Sequence, residues 1–266
     1  MFLEPIDFAQ MYVNHKKSTI FKGKDHNEWD KKSKELAPSM QKSAYVDEFI
    51  SKMEIDPNDV ILDIGCGPGT LAIPLAKKAK HVIAIDFSKS MLEELEKYAK
   101  KEGIENISTY HIGWDDDWSF LPDIDIAVAS RSMEVSDMQS ALFKMSYIAK
   151  KACYLTYKVG GSYVDMDIVN YIQKPIVQKP DYWYIPLILY TKQYLAKIDY
   201  IATKGSIKSY TKESFVESLR WSFGSLTEAE EEKAKEYYEH FIAKEQKHPK
   251  PFSWAFISWK TTPLEL

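Results

Sequence analysis

The sequence predicts an α/β fold, a largely parallel sheet with helices on both faces, and three observations carry that expectation. Short apolar runs alternate with amphipathic stretches from about residue 45 onward. The first run, Val60–Ile64, leads into a glycine-rich loop, Gly65-Cys66-Gly67-Pro68-Gly69-Thr70. The second, His81–Ile85, delivers the chain to an acid, Asp86. Strand, loop, helix, strand and acid in that register describe a βαβ unit, whose two strands run parallel with a helix crossing one face.

The elements follow in order. Residues 1–44 are polar and lysine-rich with scattered aromatics (Phe8, Tyr12, Phe21, Trp29), which predicts one or two short helices forming an N-terminal cap on a main domain spanning 45–266. Tyr45, Val46, Phe49, Ile50 and Met53 have helical spacing, and Asp56-Pro57-Asn58-Asp59 is a turn into the first strand. Thr70 opens a helix after the glycine loop. Ser88 is an N-cap for a helix over 90–101 with Met91, Leu92, Leu95, Tyr98 and Ala99 on one face, ended by Gly103. Strands are expected at 106–112, 124–130 and 152–157, with a helix over 138–150. Beyond them, Lys174-Pro175, Lys179-Pro180 and Ile185-Pro186 break the chain around the aromatic run Tyr182, Trp183, Tyr184 and Tyr190, followed by a helix to about Ile198. A strand over 200–209, helices over 211–221 and 227–244, and a last strand over 252–259 complete the reading.

Composition narrows the function classes. The 266 residues are 45% hydrophobic and 14% aromatic, ample for a packed core. A net charge of -4 gives no global pull toward nucleic acid or anionic membranes. Cys66 and Cys153 are the only cysteines, so no disulfide framework is implied, and both read as small packing residues in a reducing cytoplasm. The N-terminus carries Glu4 and Asp7 rather than a basic start with an apolar core, and no apolar stretch approaches the ~18 residues of a membrane span. A cytoplasmic protein without membrane association is expected.

Asp86 lies 21 residues after Gly65, close to the spacing of about 20 at which an acid in a βαβ unit reaches the hydroxyls of an adenosine ribose. Dinucleotide loops read G-x-G-x-x-G, whereas the glycines here read G-x-G-x-G with Asp63 two residues ahead. That pattern resembles motif I of the class I S-adenosylmethionine-dependent methyltransferases. The resemblance covers the chain from about residue 45, with specific motifs only in 60–92. It implies a Rossmann-like sheet of seven strands in the order 3-2-1-4-5-7-6, the last two forming an antiparallel hairpin. It also implies S-adenosyl-L-methionine as cofactor and S-adenosyl-L-homocysteine as product. Asp63 would help hold the methionine ammonium; Gly65, Cys66, Gly67, Gly69 and Thr70 would pack along the methionyl and ribose portions; Asp86 would take the ribose hydroxyls. The run Asp86–Leu92 continues the likeness, with Phe87 the candidate for the adenine face and Met91 in the cofactor set.

Ligands in open α/β sheets bind outside the carboxyl ends of the strands, so the residues that follow each strand are the informative ones. After the third stands Gly113-Trp114-Asp115-Asp116-Asp117-Trp118. In the resembling family an acid hereabouts accepts the adenine amino group; Trp114 occupies its usual place, which moves the role to Asp115 with Trp114 as an apolar wall. An acidic helix start with a half-buried Trp is the alternative. After the fourth strand comes Ser130-Arg131-Ser132-Met133-Glu134, the loop that faces the transferred methyl in the family, with Ser130 at the cofactor. Arg131, one of two arginines, either clamps a carboxylate or phosphate on the acceptor or pairs with Glu134 or Asp137 to fix the loop. Tyr45 and Tyr182 are further acceptor-side candidates. The Asn/Asp-Pro-Pro-Tyr/Phe signature of enzymes that methylate exocyclic or amide nitrogens is absent.

The expected function is therefore in-line transfer of a methyl group to a small-molecule acceptor, under N-terminal and aromatic segments that close over the site. No metal is expected, since the spacing of Asp115–Asp117, Glu134 and Asp137 is unspecific. No general base is assigned: Tyr45, Glu134 and His111 are available, and His111 reads as a core residue of the third strand. The alternatives are a non-catalytic S-adenosylmethionine-binding partner or regulatory subunit, an NAD-dependent oxidoreductase, and a tRNA or protein methyltransferase. Oligomeric state is not legible.

Overall fold

The computed structural model describes residues 6–19, 21, 25, 27–30, 44–161, 165–203, 210–243 and 252–264. Seven strands form one sheet: β1 (Val60–Ile64), β2 (His81–Asp86), β3 (Ile107–His111), β4 (Ile124–Ser130), β5 (Ala149–Lys158), β6 (Lys197–Thr203) and β7 (Phe252–Lys260). Their spatial order is β3-β2-β1-β4-β5-β7-β6, the order the resemblance implied. The first five strands pair in parallel. β7 runs antiparallel to both β5 and β6.

Strand alternation divides the core into two layers. Leu62, Ile64, Ile83 and Ile85 face the layer built by α1 (Phe8–Ser18), α5 (Met138–Ile148) and α7 (Tyr184–Tyr190). Ile61, Val82, Ala84, Ile126 and Val128 face α2 (Ala44–Ser51), α3 (Ala72–Ala76) and α4 (Lys89–Lys101). Tyr12 of α1 is fully buried in the first layer and donates a 2.8 Å hydrogen bond to the Val135 carbonyl. The N-terminal helix is thereby part of the core beneath the β4–α5 connection. A third apolar cluster joins α6 (Met166–Ile172), α8 (Lys212–Phe223), α9 (Glu228–Tyr237) and Phe21.

Departures from the sequence reading have local causes. The helix expected to reach residue 150 stops at Ile148, because Ala149 is already extended and begins β5. α6 was not foreseen; Asp165 caps it by accepting from the Asp167 amide, but the nearby Lys174-Pro175 reads as a breaker. The helix expected to run to Ile198 ends at Tyr190, where Gln193 adopts φ 61° and turns the chain into β6, so that Ile198 is a strand residue. The helix from Thr227 gives way after Tyr237 to a π-helical turn, Tyr238–Ile242. Residues 204–209 of the expected strand, Lys244 of the expected last helix and much of the N-terminal cap lie outside the described residues. No described helix is long and apolar enough to cross a membrane.

Candidate active site

From β1 the chain runs one way through β2 and β3 and the other way through β4 and β5, so the carboxyl end of β1 is the switch point at which such sheets open a crevice. The glycine loop fills that position. Gly65 and Cys66 donate to the Ile85 carbonyl at 2.8 and 3.0 Å, pinning the loop to the end of β2. Gly65 has φ 66°, and a Cβ there would collide with the side chain of Ser132, whose hydroxyl donates to the Ile64 carbonyl at 2.6 Å. Backbone conformation and space both exclude a larger residue. Asp86 closes the ring: its Oδ2 accepts from the Gly67 amide and its Oδ1 from the Ser88 amide, both at 2.8 Å. Burial raises the pKa of this carboxyl, while the two amides oppose the shift.

Asp63 is only 2% exposed, and its Oδ2 has no hydrogen-bond partner among the described residues. Burial, then repulsion from Asp86, push its pKa up to about 7, against the Ala72 amide at the start of α3, which favours the charged form. The Thr70 hydroxyl is likewise buried without a partner. Leaving a buried acceptor unsatisfied costs about 1–3 kcal/mol, more when it is charged. The site therefore suits a ligand that brings a cation and a hydrogen-bond donor to Asp63. Burial also pushes up the thiol of Cys66, and Met91 is buried in the first turn of α4.

On the β2–β3 side Phe87 is 40% exposed and stands against Gly113, where an added Cβ would come within 3.2 Å of it. His111, expected in the core, instead lies exposed at the end of the edge strand β3 and shares a 3.0 Å hydrogen bond with the Phe87 carbonyl. In the turn that follows, Asp116 accepts from the Gly113 amide at 2.7 Å, and Asp117 accepts from the Ser119 amide and hydroxyl. Asp115 is exposed, and no hydrogen bond or ion pair within the described residues engages its carboxylate. Trp114 donates to the Ser132 carbonyl at 3.1 Å, tying this turn to the loop after β4. Sequence reasoning missed Asp30: its carboxylate accepts from the Ser88 hydroxyl at 2.5 Å and brings residues 27–30 against the start of α4.

The third wall is the end of β4 and β5. Tyr45 shares hydrogen bonds with the hydroxyls of Ser130 (2.7 Å) and Thr156 (2.6 Å), and Thr156 also accepts from the Arg131 amide at 3.2 Å. The Arg131 guanidinium lies 4.7 Å from the centre of the Tyr45 ring, and its Nε is buried without a partner. Pairing of Arg131 with Glu134 or Asp137 does not form. Glu134 binds Lys16 and Lys179, each at 2.7 Å, and Asp137 caps α5 by accepting from the Ser140 amide and hydroxyl. Burial raises the pKa of Glu134, but the two ammonium groups outweigh it and hold the carboxyl below its usual range. Tyr182 is not brought to the glycine loop. Its hydroxyl meets that of Tyr200 at 2.7 Å on β6, four strands from β1, a lateral offset of about 19 Å at the usual strand spacing.

A family model described as "Methyltransferase domain" matches residues 61–151, the stretch from β1 into β5 that builds this crevice. Residues 61–151 are a class I methyltransferase domain. An uncharacterized protein of Haemophilus influenzae is 32% identical to this methyltransferase over 97% of the chain and 98% of its own length. A probable cobalt-precorrin-6B C(15)-methyltransferase (decarboxylating) of Methanococcus maripaludis is 40% identical over 62 residues, 23% of this chain and 34% of that protein. The crystal structure of geranyl diphosphate C-methyltransferase from Streptomyces coelicolor, which contains S-adenosyl-L-homocysteine, shares the fold with a TM-score of 0.52 at 12% identity, covering 82% of this chain and 79% of that one.

Proposed function

We propose that this methyltransferase takes its methyl group from S-adenosylmethionine and passes it to a small-molecule acceptor. The observation that carries the reading is the buried, unpartnered carboxylate oxygen of Asp63 beside a loop in which Gly65 has no room for a Cβ. A methionine ammonium supplies the cation and donors that Asp63 lacks. Asp86, anchored to both the loop and α4, suits the ribose hydroxyls, with Gly67, Gly69, Thr70 and Cys66 along the cofactor's flank. Phe87 and Trp114 offer apolar surface to adenine, while Met91 is buried at the start of α4; Asp115 offers an uncommitted carboxylate for the adenine amino group, and Ser130 a hydroxyl at the end of β4.

When bound, S-adenosylmethionine supplies a methyl group already activated on a sulfonium sulfur, whose transfer leaves S-adenosylhomocysteine. The protein's part is then to align the acceptor and keep water out. None of the groups at hand is poised as a base: burial raises the pKa of the Tyr45 hydroxyl, which is already shared with Ser130 and Thr156; Glu134 is ion-paired; His111 faces out. An acceptor that is nucleophilic without deprotonation by the enzyme fits best.

The test is incubation with methyl-labelled S-adenosylmethionine and a cell extract divided into small-molecule and macromolecular fractions. The expected result is S-adenosylhomocysteine formation that requires the small-molecule fraction. Label entering RNA or protein would reject the acceptor class, and no product with either fraction would reject the donor reading.

A further inference from the structure

We propose that Arg131 is an oxyanion site for the methyl acceptor, so that the acceptor carries a carboxylate or phosphate gripped by this guanidinium. The inference rests on the reading of the crevice as a methyl-transfer site. A guanidinium keeps its proton at any pH the protein meets, so a donor of it that is buried needs an acceptor. No carboxylate among the described residues pairs with Arg131, and its Nε is buried without an acceptor. The acids nearest in sequence are engaged elsewhere, Glu134 by Lys16 and Lys179 and Asp137 by the start of α5. The chain's other arginine, Arg220, is bound to Glu217 and Glu231. Arg131 thus differs from Arg220 in having no carboxylate bound to it among the described residues.

Its placement is constrained as well. Arg131 follows the last residue of β4, beside the strand whose end carries Asp63, and the Tyr45 hydroxyl senses both the positive charge of Arg131 and the negative charge of Asp63. A long side chain at φ 59° is an uncommon backbone state, and such states concentrate where a side chain must be aimed at a ligand. The Thr156 hydroxyl holds its amide, and the Tyr45 ring occupies one face of the guanidinium. Stacking on that face leaves the planar edge, where the N–H donors lie, to meet two oxygens at once. Tyr45 is then the positioning residue.

The test is titration calorimetry at constant ionic strength, in a buffer free of carboxylate and phosphate, with the protein first saturated by S-adenosylhomocysteine. Benzoate, phenyl phosphate and the neutral benzamide are the probes. The expected result is saturable binding of benzoate or phenyl phosphate but not of benzamide, weakened at least tenfold in Arg131→Met, with S-adenosylhomocysteine affinity unchanged. Which of the two anions binds more tightly identifies the headgroup. Arg131→Lys, which keeps the charge but not the planar fork, is expected to bind with intermediate affinity, and it decides the matter if the methionine variant does not fold. Absent anion binding, equal binding by the variants, or equal binding of benzamide would overturn the proposal. So would an Arg131→Met protein that loses S-adenosylhomocysteine affinity instead, since Arg131 would then serve the cofactor. If the wild type binds no S-adenosylhomocysteine, the donor reading fails by itself, and the same titrations on the unliganded protein still decide the anion site.

Discussion

A carboxyl as deeply buried as Asp63 gives up its proton only near pH 7, because the low-dielectric interior penalises the charged form and Asp86 adds repulsion. Its folded pKa lies above the unfolded value of about 3.9, so between roughly pH 4 and 7 the native state holds the extra proton. The stability Asp63 contributes therefore falls as pH rises through that window and is flat above it. A ligand ammonium favours the ionised form, which reverses the sign for binding. The affinity for S-adenosylhomocysteine is expected to rise with pH by up to tenfold per unit below about 7 and then level off. Calorimetry in buffers of different ionisation heat should detect the released proton, and Asp63→Asn should flatten the profile. Gly65→Ala is expected to destabilise the fold by about 1–3 kcal/mol in chemical denaturation, since it combines a positive φ with a collision against Ser132. That Asp63, Asp86 and the glycines come together was legible in the sequence because all lie within one βαβ unit. Asp30, Ser132 and Thr156 were not, since only the folded chain brings them there. The choice between the two readings of Arg131 was open in the sequence for the same reason: Lys16 and Lys179 arrive from distant segments and take Glu134.

Among the elements, α1 links the N-terminal segment to the wall of the crevice that follows β4. Tyr12 reaches the Val135 carbonyl, His15 bridges the Tyr184 hydroxyl (3.1 Å) and the Gln178 carbonyl (2.9 Å), and Lys16 binds Glu134. These contacts fasten α1 to α7 and to the loop after β4. Tyr12→Phe keeps the packing but leaves the Val135 carbonyl without its donor, so a loss of about 1 kcal/mol in denaturant midpoint measurements is expected. Tyr12→Ala, which empties a fully buried site, should cost about 3–5 kcal/mol. At the other end, Thr227 and Glu230 form a reciprocal capping box at the start of α9, and Thr227→Ala is expected to lose about 1 kcal/mol. Elements with strong local signals, such as α4 behind Ser88 or α8 behind Thr211, came out of the sequence within a residue or two at their starts. α6 and the early start of β6 did not. Their apolar residues pack against other insertions or pair at a sheet edge, so they lack the uninterrupted periodicity that marks a helix or a buried strand.

For the whole molecule, alternating apolar runs fixed the parallel strands, and the order of the sheet then placed every C-terminal strand end of β1 to β5 along one rim. That rim gathers Asp63, Asp86, Phe87, the Trp114–Asp115 turn, Ser130 and Arg131, residues spread over 69 positions of sequence. The helical cluster of α6, α8 and α9 follows β5 and flanks β6 in the chain and buries its own apolar residues against Phe21. Helices α8 and α9 were foreseen, but α6 and the packing of the three together were not, because nothing in the parallel sheet dictates where such insertions pack. Every role proposed along this rim depends on one ligand. Titration calorimetry of the purified protein with S-adenosylhomocysteine at pH 8 should give one site per chain. Asp86→Ala, checked for folding by circular dichroism, should weaken that binding at least tenfold, about 1.4 kcal/mol. No binding by the wild type, or an affinity indifferent to Asp86, would contradict it.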